Sequence, residues 1–129
     1  MMTKFCTIIM LILGSISCTH TTAQSKVIDP TAFEQMILTD TSVQLIDVRT
    51  PDEYQSGHIA KAVNYNINDA SFGENLAKLD LNRPVLVYCA VGGRSGRAAA
   101  QLDKLGFKKV FDLRGGMTAW RAANKKIVK

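Results

Sequence analysis

Histidine, cysteine and tryptophan are scarce in this sequence: two, three and one among 129 residues. Two histidines and so few cysteines offer no metal-ligand spacing, so neither a metal nor any other cofactor is expected. A basic stripe is also missing. The formal charge is +5, but Lys125, Lys126 and Lys129 cluster at the C-terminus while the other cations are scattered among acids. With no aromatic or groove-reading element beside them, nucleic acid is excluded as the expected partner. The balance supports a mild preference for small anions. Gly92-Gly93-Arg94-Ser95 lacks the Gly-Lys pair and the length of a nucleotide-phosphate loop. Internal repeats and low-complexity tracts are absent as well. What is left is an ordinary globular composition, 47% hydrophobic and 21% charged, at a length that suits one domain.

The one long apolar stretch, Phe5 to Ile16, follows Lys4 and falls short of the roughly 20 residues a membrane span needs. A positive start, a short apolar run and a small-residue exit describe an export signal over residues 1–23. Two exits fit. Thr21-Thr22-Ala23 would release Gln24 as the first residue, and this is the preferred one. Ser15-Ile16-Ser17-Cys18 resembles a loose lipobox, with Ser15 where leucine is usual, and would leave a lipid on Cys18 as the only membrane attachment. An uncleaved anchor is the less favoured third reading. The expected location is the periplasm or cell envelope. Losing Lys4 takes the 16 basic residues to 15 against 11 acidic ones, a charge of +4, so the view of partners is unchanged.

Cys6 lies within this leader and Cys18 at its edge, which leaves Cys89 as the single cysteine of the folded part. An unpaired thiol in an oxidising compartment is a liability unless it is buried or used.

Downstream, Asp29-Pro30 reads as an N-cap with proline at the first helical position, and Phe33, Met36 and Ile37 supply one buried face. Val43 to Val48 reads as a buried strand. Thr50 with Glu53 three residues on is a capping box, with Pro51 inside it, for a brief helix ending at Gly57. Ala62 to Ile67 reads as a strand and Phe72 to Leu79 as a helix. Val85 to Tyr88 reads as a central strand buried on both faces. Ser95 to Leu105 is expected as a helix stopped by Gly106, Val110 to Leu113 as a strand, and Met117 to Asn124 as a last helix after Gly115-Gly116. Strands alternating with helices imply an α/β fold with a mostly parallel sheet and helices on both faces.

In such a sheet ligands bind beyond the carboxyl ends of the strands, and Cys89 stands there, directly after Tyr88. The loop that follows can turn several N–H groups inward, the next helix adds its positive N-terminus, and Arg94 adds a cation. Each favours thiolate over thiol. Gly92 and Gly93 are expected to let the loop close tightly.

Leu86 to Leu102 resembles the active-site strand, loop and helix of the rhodanese (thiosulfate sulfurtransferase-like) family. Three more segments resemble its signatures: Leu45-Ile46-Asp47-Val48-Arg49-Thr50-Pro51-Asp52-Glu53-Tyr54, Gly57-His58-Ile59-Ala60-Lys61-Ala62, and Leu113-Arg114-Gly115-Gly116-Met117-Thr118-Ala119-Trp120. The resemblance spans about residues 28–127, in order and at family spacing. It implies a three-layer domain with a five-stranded parallel sheet, and a cysteine that takes a sulfane sulfur, becomes a persulfide and passes the sulfur on. Carried over by position, Cys89 is the nucleophile, and the N–H groups of Ala90, Val91, Gly92, Gly93, Arg94 and Ser95 hold the outer sulfur. Arg94 closes the loop and steers an anionic donor; the acceptor is a thiol or a cyanide-like group. Cysteine phosphatases share this architecture but separate Cys and Arg by five residues. Here four intervene, a smaller cradle suited to sulfur.

Asp47 and Arg49 are possible supporting residues at the active edge, although a structural ion pair is the better reading. His58 is expected to anchor its turn, and Trp120 with Met117 to pack in the core.

Overall fold

Val85–Tyr88, the most apolar strand of the chain, lies at the centre of the sheet in the computed structural model, which describes Ser17 and residues 24–129. The expected leader, with Cys6, Cys18 and Ala23, lies outside the described residues. The elements in chain order are β1 (Lys26–Ile28), α1 (Pro30–Thr39), β2 (Gln44–Asp47), α2 (Pro51–Gln55) and β3 (Val63–Asn64). Then come α3 (Phe72–Ala77), β4 (Val85–Tyr88), α4 (Gly93–Lys104), β5 (Val110–Leu113) and α5 (Gly116–Ala122). The sheet is ordered β1-β5-β4-β2-β3 and every pairing is parallel. The expected α/β architecture with five parallel strands therefore holds.

Alternation along the strands divides the core in two. Val85 and Val87 of β4, Ile46 of β2 and Val110 of β5 face α3 and α4, meeting Phe72, Leu76, Ala98, Ala99 and Leu102. Leu86 and Tyr88, Leu45 and Leu113 face the other layer, where Phe33 of α1 and Met117 and Trp120 of α5 close over them. Phe33 meets Tyr88 and Trp120 edge to face, at 6.4 and 6.3 Å between ring centres. Trp120 thus packs in the core, and its indole N–H donates to the Lys126 carbonyl at 2.9 Å.

Local chemistry sets the helix starts. Asp29 accepts from the Ala32 N–H, and Thr50 with Glu53 forms the complete capping box. Gly106, at φ +95°, ends α4 as expected. Two elements differ by more than a residue or two. β1 was not anticipated: it is a three-residue edge strand with two exposed residues, too short to show a pattern. The strand expected over Ala62 to Ile67 pairs regularly only at Val63–Asn64, because the chain then veers off, with Tyr65 and Ile67 N–H still reaching the carbonyls of Asp47 and Val48.

Candidate active site

Cys89 follows the central strand immediately, and its side chain points to the α3–α4 layer, where it is 1% exposed. The chain then turns through Ala90 and Val91 to Gly92, whose φ of +114° is a conformation that favours glycine. This turn directs the Gly92 N–H at the sulfur, 3.0 Å from Sγ. Ser95 Oγ, fully buried, lies 3.3 Å from the same atom. Burial raises the thiol pKa, but the Ser95 hydroxyl and the N–H groups of Ser95, Gly92 and Val91 together outweigh it, and the net effect is a lowered pKa. The loop offers hydrogen bonds to a negative sulfur and almost no water.

What holds the loop in that shape comes from the far end of the chain. Met117 N–H donates to the Cys89 carbonyl at 2.9 Å and Thr118 N–H to the Ala90 carbonyl at 3.0 Å. With these two carbonyls drawn outward onto the start of α5, the N–H groups that follow are free to face inward. Gly116 makes the approach possible: a Cβ there would fall 2.6 Å from the Ala90 carbonyl carbon.

Two expectations are corrected by this geometry. Arg94, expected to close the loop and steer an anionic donor, is paired with a side chain of another element. Its guanidinium grips Glu53 with two bonds of 2.7 and 2.8 Å, tying the start of α4 to α2, and its charge is already neutralised there. Gly93 was expected to be needed for tight closure. It lies in the first turn of α4 with no atom within 4 Å of a would-be Cβ, so its space requires no glycine. Val91 forms the exposed lip, 68% accessible, and Ala90 is half-buried beside it.

Asp47 and Arg49 are not brought to Cys89. Asp47 is fully buried on the opposite side of the sheet, where Arg49 Nε and Nη2 donate to it at 3.0 and 2.6 Å. Arg49 also donates to the Gly57 carbonyl at 2.7 Å and lies over the Tyr88 ring. Tyr88, whose hydroxyl accepts from the Ile59 N–H at 3.1 Å, has its pKa driven up by burial and by the Asp47 charge. This is a brace between β2, β4 and the Gly57 turn. His58 belongs to the same brace: Nδ1 is 2.9 Å from the Tyr54 carbonyl, the rings stack at 3.7 Å, and its backbone bridges to Val128.

Two neighbours of the site escaped the sequence reading. One is Glu53, identified as a cap but not as the partner of Arg94. Arg94 and the Thr50 N–H hold its carboxyl down at a pKa of about 2, against a burial effect in the other direction. Because the folded pKa lies below the unfolded one, this stabilisation is complete above about pH 4.5 and is lost as pH falls toward 2. The pair is about one-third exposed on the Glu53 side, so solvent screening limits its worth to about 1 kcal/mol. Glu53→Gln is expected to lower the thermal midpoint at pH 7 and to lose most of that deficit by pH 2. An equal loss at both pH values would contradict this. The other is Asp112, a charged residue inside an otherwise apolar four-residue strand, which was the signal for it.

Comparison with known proteins bears on the family and the fold. The rhodanese-like domain family matches residues 29–123. The thiosulfate sulfurtransferase GlpE of Shewanella oneidensis is 37% identical over 83 residues, covering 64% of this chain and 80% of that protein. GlpE of Pseudomonas savastanoi pv. phaseolicola is 40% identical over 78 residues, covering 60% and 72%. The crystal structure of a rhodanese-related protein from Thermoplasma volcanium superposes with a TM-score of 0.71 at 28% identity, covering 80% of this chain and 97% of that one. With its sheet order, its cysteine after the central strand and its match over most of its length, the chain belongs to the rhodanese-like domain family.

Proposed function

We propose that the protein is a sulfurtransferase that carries sulfane sulfur as a persulfide on Cys89. The observation that carries this reading is the acidified, almost fully buried Cys89 thiol, with the Gly92 N–H 3.0 Å from its sulfur. The thiolate attacks the outer sulfur of a small anionic donor such as thiosulfate. A new S–S bond forms, and sulfite leaves with the electron pair of the old one. The persulfide anion lies among inward N–H groups of residues 90–95, which take its charge without water. An acceptor, a thiol or cyanide-like anion, then attacks the outer sulfur and returns the Cys89 thiolate. Intact mass after incubation with thiosulfate is expected to show a gain of one sulfur on Cys89, removed by cyanide. Absence of any adduct, with thiosulfate and with a persulfide donor alike, would end this reading.

A second reading, a carrier that accepts sulfur from a partner protein and turns over free donors slowly, is favoured by one feature. Arg94, the cation of the loop, is already paired with Glu53, and the lip is the apolar Val91. Sulfur loading from a protein persulfide, without thiocyanate release from thiosulfate and cyanide, distinguishes it. The Lys4 start and the apolar Phe5 to Ile16 run support export to the periplasm or cell envelope. The mass of the exported protein separates release after Ala23 from a lipid on Cys18.

A further inference from the structure

Beneath the first turn of α4 lies a carboxyl group that neither the fold nor the sulfur chemistry yet uses. Asp112 is in register with Val87 of β4 and Val27 of β1, and alternation with Val110 turns its side chain toward α4. It is 5% exposed. Oδ1 is fully buried and has no hydrogen-bond partner. Oδ2 lies beside Gly96, 3.9 Å from where a Cβ on that residue would stand. Gly96 directly follows Ser95, whose Oγ is 3.3 Å from Cys89 Sγ.

The charged groups on the elements around Asp112 are engaged elsewhere or directed away. On α4, Arg94 is held by Glu53, Arg97 and Lys104 are exposed, and Asp103 accepts from the Ser25 N–H. On β1, strand alternation turns Lys26 to the face opposite Val27. Arg114, just after β5, reaches the Val27 carbonyl. Burial raises the Asp112 pKa, and the Ser95 hydroxyl is the group that draws it back.

We propose that Asp112 is a positioning residue for Cys89, acting through Ser95 to direct the serine hydroxyl at the sulfur. The proposal rests on Cys89 being the reactive thiol. The three groups share two protons in two arrangements. In one, the carboxylic acid donates to Ser95 Oγ and the hydroxyl donates to a Cys89 thiolate. In the other, the thiol donates to Oγ, and the hydroxyl turns to the carboxylate or to the Gly92 carbonyl, which lies 3.3 Å from Oγ. One proton moves between sulfur and carboxylate, and the total charge is unchanged. The first arrangement is favoured by donor count. Sulfur has loop N–H groups aimed at it, whereas Asp112 Oδ1 has none.

Alkylation of Cys89 by iodoacetamide against pH, followed on the peptide that carries Cys89 in the full chain, tests this. Asp112→Leu keeps the shape and removes the donor. It is expected to slow alkylation at pH 7 by about 5- to 10-fold, because less of the thiol is ionised there. Rates should converge with the wild type once every thiol is ionised. Asp112→Asn keeps an N–H donor to Oγ and is expected within about two-fold of the wild type at pH 7. In a Ser95→Ala background, Asp112→Leu is expected to add nothing. Unchanged alkylation in Asp112→Leu, slowing in Asp112→Asn equal to that in Asp112→Leu, or full additivity with Ser95→Ala would each overturn the proposal. Thermal melts report folding, and Asp112→Ala takes the place of leucine should leucine crowd the site. Alkylation needs no sulfur donor, so a chain that reacts this way yet forms no persulfide refutes the transfer reading alone.

Discussion

Cys89→Ser is expected to leave no sulfur on the protein after incubation with thiosulfate or a persulfide donor. Whatever thiocyanate release the wild type shows should fall by on the order of 10³-fold or more. The replacement is nearly isosteric at a site 1% exposed, and the Gly92 N–H that reaches Sγ can donate to an oxygen equally well. Cooperative unfolding should therefore shift by no more than about 1 kcal/mol. What is lost is chemical. A serine hydroxyl stays protonated in this loop at any ordinary pH and forms no exchangeable bond to sulfane sulfur. Intact mass and thiocyanate release read the two effects separately. An adduct persisting in Cys89→Ser would move the sulfur to another group.

Gly116→Ala is expected to be the most damaging single methyl in the domain. Gly116 has φ +54°, a region that costs a residue with a side chain about 1–2 kcal/mol. The added Cβ would meet the Cys89 carbonyl oxygen and stand 2.6 and 2.7 Å from the carbonyl carbon and oxygen of Ala90. These are backbone atoms fixed by hydrogen bonds from Met117 and Thr118, so they cannot yield without opening the loop. Overpacking of this kind adds about 1–3 kcal/mol. The sum, about 2–5 kcal/mol, should lower the thermal midpoint by roughly 10–25 °C. In the fraction that still folds, Cys89 alkylation at neutral pH should slow, because the loop N–H groups lose their aim. Gly93→Ala is the contrasting control: with open space around the position, its melting point should stay at or slightly above that of the wild type. A Gly116→Ala melt within a few degrees of the wild type would refute the clamp.

The contrast between these two glycines marks the limit of the sequence reading. Local signals were legible. Asp29-Pro30, Thr50 with Glu53, Gly106 and the apolar Val85 to Tyr88 each act through a few consecutive residues, and each element stands where it was expected to within a residue or two. Cys89 was legible because a strand, a cysteine and a glycine-rich turn lie side by side in the chain. Contacts across the fold were not. Arg94 and Glu53 are 41 residues apart, and nothing near either one announces the other. The orientation of Asp47 toward Tyr88 and Arg49, on the opposite side of the sheet from Cys89, follows from strand alternation. A one-residue shift in register would have reversed it. Asp112 escaped although it is a lone charge in an apolar strand, because the residues it faces on α4 belong to another element.

The clamp on the Cys89 and Ala90 carbonyls also has a consequence in time. A chain made from its N-terminus contains Cys89 before Met117 and Thr118 are added, and Val128, which bridges to His58, follows them. Until that final stretch docks, the thiol lacks its ring of donors and has the modest acidity of any peptide cysteine. The acidity of Cys89 is therefore a property of the folded domain, complete only when α5 is in place.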